Sequence, residues 1–284
     1  GGITGAGIGF GYVCPIATCI KWFPDKKGLV SGIAVAGFGG GAVLLSALAD
    51  SLFADGKTVL DVFRFIGIWY GLVIAGASFF LSNPGRLTAN SSGPHKGPEN
   101  LFSDRRFWRL VTGIWAGTFG GLLVIGNLQS IGLSGGIPKV LASAAVGSFA
   151  IGNSLGRLGW GALTDKIGDR TITASLIFLS LSILILMFPF PAAWLFPVAA
   201  FLTGFGFGAC FVVYMAQTVN DFGAENMASV YPFIFLAYGF SGIVGPTAGG
   251  WLYDLSGNYF SAIIVGGGVV ILGAAAQRLL KKAS

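Results

Sequence analysis

Apolar runs of about 20 residues, the length of helix that crosses a bilayer core, recur from one end of this chain to the other. Short breaks of Pro, Gly, Asp or Lys separate them. Nine spanning helices are predicted, at roughly 2–23, 29–53, 62–82, 107–131, 139–163, 171–190, 193–219, 227–252 and 259–279. One break is long and polar. It runs from Asn83 to Arg106, holds Pro84, Pro94 and Pro98 together with the sole histidine, His95, and reads as a linker between two helical bundles. In a loop of this kind His95 is a bystander. The expected class is an all-α, polytopic membrane helix bundle divided into helices of 1–83, a linker of 84–106 and a six-helix bundle of 107–284.

Composition agrees with lipid as the main solvent. Residues of the apolar set make up 54% of the 284 and charged residues only 10%, against about 25% in an ordinary globular chain. So little charge cannot cover a water-facing surface. The 47 glycines suit membrane helices that pack backbone to backbone. The formal charge of +6 comes from basic residues scattered among loop ends, which excludes a nucleic-acid face. Cys14, Cys19 and Cys210 lie within apolar runs without metal-ligand spacing. Glycine clusters resembling a dinucleotide fingerprint sit inside spans and not after a strand, so a nucleotide fold is excluded. No cofactor and no enzymatic chemistry are expected, and no leader sequence is visible.

Basic residues also orient the chain. Thirteen of the 17 Lys and Arg fall on the linker's side: Lys21, Lys26 and Lys27; Arg86, Lys96, Arg105, Arg106 and Arg109; Lys166 and Arg170; Arg278, Lys281 and Lys282. The other side holds Lys57, Arg64 and Lys139, and Arg157 lies within a span. The linker and C-terminus are therefore expected to be cytosolic in a cell membrane, and the sequon Asn90-Ser91-Ser92 unglycosylated.

An internal repeat bears on architecture. Thr4-Gly5-Ala6-Gly7-Ile8-Gly9 recurs as Thr203-Gly204-Phe205-Gly206-Phe207-Gly208, and the same offset of 199 relates Phe23 to Phe222. The second copy opens the fourth of the six helices after the linker. Equivalent halves would make the first copy a fourth helix too, with three more ahead of Gly1 and twelve in all.

Between the second and third helices after the linker stands Gly161-Ala162-Leu163-Thr164-Asp165-Lys166-Ile167-Gly168-Asp169-Arg170. This spacing puts a carboxylate and two cations in a tight turn, where Asp165 has a neighbouring helix end or the cations within reach. The pattern resembles the loop signature of the major facilitator superfamily. The resemblance implies the major facilitator fold, with nine of its twelve transmembrane helices present, and makes Gly161, Asp165, Gly168 and Arg170 a conformational loop with Asp165 as its latch. Gly245-Pro246 in the eighth segment gives that helix a place to bend.

A narrower resemblance rests on Gly11-Tyr12-Val13-Cys14-Pro15-Ile16-Ala17-Thr18, on Lys21-Trp22-Phe23-Pro24-Asp25-Lys26-Lys27-Gly28, and on Gly37-Phe38-Gly39-Gly40-Gly41. These are similar to helices of the oxalate:formate antiporter family, a branch close to the monocarboxylate transporters. The function implied is secondary transport of a small organic anion by alternating access, with a proton or an exchanged anion as the coupled species.

Arg157 is the foremost candidate for the substrate, since it is the one cation embedded in a span and its planar fork suits a carboxylate. Burying it costs about 2.5–3.5 kcal/mol on insertion scales, so a partner or a wet cavity is required. Eight residues before Asp165, it also stands only about 12 Å along the helix from that loop, close enough to snorkel outward or brace it. Asn153, Tyr214, Gln217 and Tyr238 are further candidates. Asn127, Gln129 and Tyr231 join them as polar groups within spans that either meet solute or tie helix to helix. Family members that handle oxalate carry a second cation in an Ala-Lys-Gly stretch, which here reads Ala237-Tyr238-Gly239. The resemblance therefore implies a monocarboxylate before oxalate. Animal monocarboxylate transporters place an Asp where this chain has Asn153. Transport of a sugar or drug-like cation, or a non-transporting receptor or scaffold, are the other function classes left open.

Overall fold

The computed structural model describes residues 2–82 and 100–282, and these form nine α-helices with no strand among the described residues. In chain order they are α1 (Gly2–Trp22), α2 (Lys27–Ala54), α3 (Val59–Ser78), α4 (Arg105–Ser134), α5 (Lys139–Ile167), α6 (Arg170–Ile185), α7 (Leu195–Phe222), α8 (Met227–Ser256) and α9 (Phe260–Lys282). Every expected span is a helix. The largest difference is in the sixth, which stops at Ile185 and not near 190, because Pro189 and Pro191 cannot donate to a continuing ladder. Five helices, α3, α4, α7, α8 and α9, are long and apolar enough to cross a membrane by length and composition. The linker's prolines, Arg86, the Asn90 sequon, His95 and Lys96 lie outside the described residues.

Local chemistry sets the helix ends. Thr58 and Asp61 form a reciprocal capping box at the start of α3. Asp104 accepts from the Arg106 amide at 2.7 Å to start α4. Gly168, Gly223 and Gly257 follow α5, α7 and α8 with φ of 58°, 86° and 71°, a region that side chains bearing a Cβ rarely enter.

The centre of the bundle is the contact of α5 with α7, the most extensive in the molecule. Glycines make it close. A Cβ at Gly152 would stand 2.1 Å from the Phe201 carbonyl oxygen, and one at Gly156 2.1 Å from that of Phe205. From the other side, Gly204 meets the Phe149 carbonyl and Gly208 that of Asn153 in the same way. Part of the repeated glycine motif is thus a surface that admits a neighbouring backbone.

Around this pair, α4 packs against α8 and α9, α6 against α9, and α2 crosses to α5. Side-chain hydrogen bonds join several of these helices. Ser180 donates to the Gly267 carbonyl at 2.8 Å, Thr118 to Ser241 at 3.0 Å, and Asn127 to the Pro246 carbonyl at 3.1 Å. Such bonds contribute about 0.6 kcal/mol each within a membrane. By contrast α3 leans on α2 and leaves Phe63, Ile68, Leu72, Val73 and Ile74 uncovered.

Candidate functional site

Two elements before the linker and three after it converge on Arg157. Its residue is only 7% exposed, so the guanidinium does not snorkel into bulk solvent. The head reaches across to α2, where Nη1 donates to the Val35 carbonyl, and back along α5, where Nε donates to Asn153 Oδ1 at 3.3 Å. Its Cζ sits 4.4 Å from the centre of the Phe211 ring on α7, a cation–π contact. No described carboxylate lies within ion-pair distance.

Aromatic rings complete the surroundings. Phe211 meets Tyr238 edge-on at 5.3 Å, Tyr238 stacks on Phe235 at 4.9 Å, and Phe235 stacks on Tyr231 and on Tyr12 of α1 at 5.4 and 5.1 Å. The hydroxyls of Tyr12 and Tyr231 face each other, and Tyr12, Tyr231 and Tyr238 lie in the neighbourhood of Arg157. Tyr12 and Tyr231 are buried, and Tyr238 is half-buried. Low polarity around a single cation, with phenolic donors beside it, is an environment in which a visiting anion is strongly held.

The turn that carries Arg157 is gripped by two glycines. A Cβ at Gly208 would stand 2.5 Å from the Asn153 carbonyl oxygen and 2.8 Å from the Arg157 amide nitrogen, and one at Gly32 of α2 would stand 2.5 Å from the Arg157 carbonyl oxygen. Backbone contact on both sides fixes where the side chain begins.

Two turns further along α5, Asp165 crosses to α2 as well. Its carboxylate accepts from the amides of Gly28 at 2.7 Å and Leu29 at 2.9 Å, filling the place of an N-cap that Lys26 does not supply. Gly161 lies against Gly28 there, with carbonyl oxygens that would meet an added Cβ at 2.3 and 2.4 Å. Lys27 adds a bond from Nζ to Asn220 Oδ1 of α7 at 3.1 Å. Gly168 makes the turn into α6, and Arg170 faces away from this contact on an exposed surface.

Tyr214 and Gln217 are placed elsewhere. Along α7 they follow Phe211 by three and six residues, and a helical repeat of 3.6 turns Tyr214, Gln217 and Asp221 toward a second buried cation, Arg109. Arg109 bonds Asp169 and Asp221, each at 2.9 Å. Gln217 donates to Asp221 at 2.8 Å, and Gln277 donates to the Arg109 carbonyl at 2.8 Å. The Tyr214 hydroxyl packs beside Gln277 at Gly113. Of the five sequence candidates around a substrate, then, Arg157, Asn153 and Tyr238 come together, while Tyr214 and Gln217 belong to the Arg109 network. Tyr12, Val35 and Phe211 were not singled out from sequence. Tyr12 stood within a quoted motif, but nothing in the motif shows which ring it stacks on.

A family model described as Major Facilitator Superfamily matches residues 1–231 and 119–283. The oxalate:formate antiporter of Oxalobacter formigenes is 29% identical over 251 residues, covering 86% of this chain and 59% of its own length. An MFS-type transporter of Escherichia coli is 29% identical over 252 residues, covering 86% and 62%. Apicoplast pyruvate carrier 1 of Toxoplasma gondii is 26% identical over 305 residues, covering 83% and 55%. The chain thus spans about 60% of the length of the first of these relatives. These relatives are transporters and not enzymes. With a match from end to end and an all-helical fold bearing repeated apolar spans, this chain is a multi-pass integral membrane protein that belongs to the Major Facilitator Superfamily.

Proposed function

We propose that this chain is part of a secondary transporter of small monocarboxylates. The observation that carries the reading is Arg157, a buried cation among aromatic rings with no described carboxylate in ion-pair range. A charge held in that way is costly unless something neutralises it, and a carboxylate visiting from solution does so. The guanidinium fork takes one carboxylate, and the tyrosine hydroxyls supply further donors. With one cation here and Tyr238 where oxalate-handling relatives resemble one another in having Lys, a single negative charge is matched and a second is not. Two relatives, an oxalate:formate antiporter and a pyruvate carrier, support the same solute class.

The position of the site supports alternating access. Helices from before the linker (α1 and α2) and after it (α5, α7 and α8) share it, and residues 1–83 and 107–284 act as parts of two bundles that rock about it. Asp165 is the latch: its bonds to the α2 amides hold the linker side shut, and they break when that side opens. The cytosol lies on that side. An anion exchanged at Arg157, or a proton moved with the solute, completes the cycle.

Equilibrium binding of labelled formate, acetate and oxalate to the purified chain tests the reading. Monocarboxylate binding is expected, with a loss of about 30-fold or more in Arg157→Ala and partial retention in Arg157→Lys, which keeps the charge without the fork. Equal binding by wild type and Arg157→Ala removes Arg157 from the site, and preference for oxalate overturns the solute class.

A further inference from the structure

The end of the bundle on the linker side carries a polar recess. It is a crevice of about 430 Å³, within the ordinary range of ligand sites, about 300–1,000 Å³. It opens between α4, α6 and α9. Arg109, Asp169, Arg170, Gln277 and Arg278 supply its polar lining. Arg170 and Arg278 are exposed, and neither forms an ion pair with a described carboxylate. Two independent features inside the crevice ask for a ligand. Arg109, whose side chain is 91% buried by its 9% exposure, leaves its Nε–H without an acceptor, and the buried Gln277 leaves Oε1 without a donor. The positive end of the α6 dipole also lies at this place.

Below the polar mouth the surface turns apolar along both helices. On α6, Ala174, Ile177, Leu181 and Ile185 continue from Arg170 on one face by helical spacing, and Leu181 and Ile185 are uncovered. On α9, Ala275 and Ile271 continue from Arg278 in the same way and are exposed. Two arginines thus crown a paired apolar stripe at one end of membrane helices.

We propose that this crevice binds the headgroup of an anionic phospholipid in the leaflet on the linker side. The phosphate lies between Arg170 and Arg278 and accepts from Arg109 Nε. A headgroup hydroxyl donates to Gln277 Oε1, and an acyl chain follows the stripe of Ile177, Leu181 and Ile185. Asp169 pairs with Arg109 and limits the site to one anion. The occupant also braces the Arg109 network, because its bonds reach the same side chains that tie α4, α6 and α7 together.

Native mass spectrometry of the purified full chain in detergent, titrated with phosphatidylglycerol, phosphatidylcholine and glycerol 1-phosphate, tests this. Phosphatidylglycerol is expected to bind more tightly than phosphatidylcholine. Arg170→Ala and Arg278→Ala each weaken it about fivefold, since each basic residue at an anionic surface contributes on that scale. Arg64→Ala, on α3 at the far end, leaves it unchanged. Both arginines are exposed, so the variants fold, and an unchanged melting temperature in lipid-free detergent checks it. Equal affinity for the two lipids, or a double variant that binds as wild type does, overturns the proposal. Glycerol 1-phosphate competing as well as the whole lipid does so too, because the site is then one for a free anion.

Discussion

Arg157 and Arg109 are both buried, both lie on helices that follow the linker, and their chemical settings are opposite. Arg109 is bracketed by Asp169 and Asp221, with Gln217 and Gln277 closing the network behind them. Arg157 has a carbonyl, an amide oxygen and a phenylalanine face, and no described carboxylate. The first arrangement neutralises a charge permanently and so ties helices together. The second leaves the charge for something else to neutralise. Burial alone therefore does not distinguish a structural cation from the one proposed to bind solute. The partners do.

The comparison breaks most directly on stability. Arg109→Ala strands two carboxylates and is expected to cost about 3–5 kcal/mol, seen as a large fall in melting temperature in detergent. Arg157→Leu removes a charge that no acid partner repays, and is expected to cost less than about 1 kcal/mol. Equal losses would show that the two arginines do the same work. Asp221→Asn sharpens the point by taking away one charged partner while keeping the shape. A loss of about 1.5–3 kcal/mol is expected, with carboxylate binding unchanged in the same sample.

Gly208→Ala probes the setting of Arg157. A Cβ there collides with the backbone of Asn153 and Arg157, so about 1–3 kcal/mol of stability is expected to go, together with monocarboxylate affinity. Gly37→Ala, with open space around it, is the control that should change neither.

Arg106 and Asp104 form a pair more exposed than those of Arg109. Their contact at 2.8 Å holds the Asp104 carboxyl below the usual carboxylate range, chiefly through the side-chain hydrogen bond. Because the folded value lies below the unfolded one, near 3.9, the stabilisation is complete above about pH 4 and is lost as pH falls through the folded value. Its size is below about 1 kcal/mol on so open a surface. Melting curves from about pH 5 down to pH 2.5 should show this small dependence, and Asp104→Asn, which keeps the helix cap, should flatten it.

Helices were legible in the sequence because lipid imposes one requirement on every span, a run of apolar residues long enough to cross. Arg157 was legible for the converse reason, as the one cation well inside such a run. Arg109 was not. Near the start of α4 it counts among loop charges, and only the fold brings Asp169 and Asp221 beside it. A sequence signal did exist, in carboxylates at two other helix ends on the same side. The aromatic cluster was hidden more deeply. Tyr12 is separated from Tyr231 by more than two hundred residues, and helical spacing gives the face a ring occupies without giving the helix it meets. Tyr214 shows the cost: it lies three residues beyond Phe211, and that small rotation sends it to the other arginine.

Where α2 crosses α5 near Gly28 and Gly161, main chain lies directly on main chain, with the Asp165 carboxylate bonded across it. Such a seam has few rotamers to freeze when it closes and few to release when it parts, Asp165's among them. Two bodies joined there touch like machined faces and not like interlocked brushes, so in the proposed cycle each separation starts from the same fit.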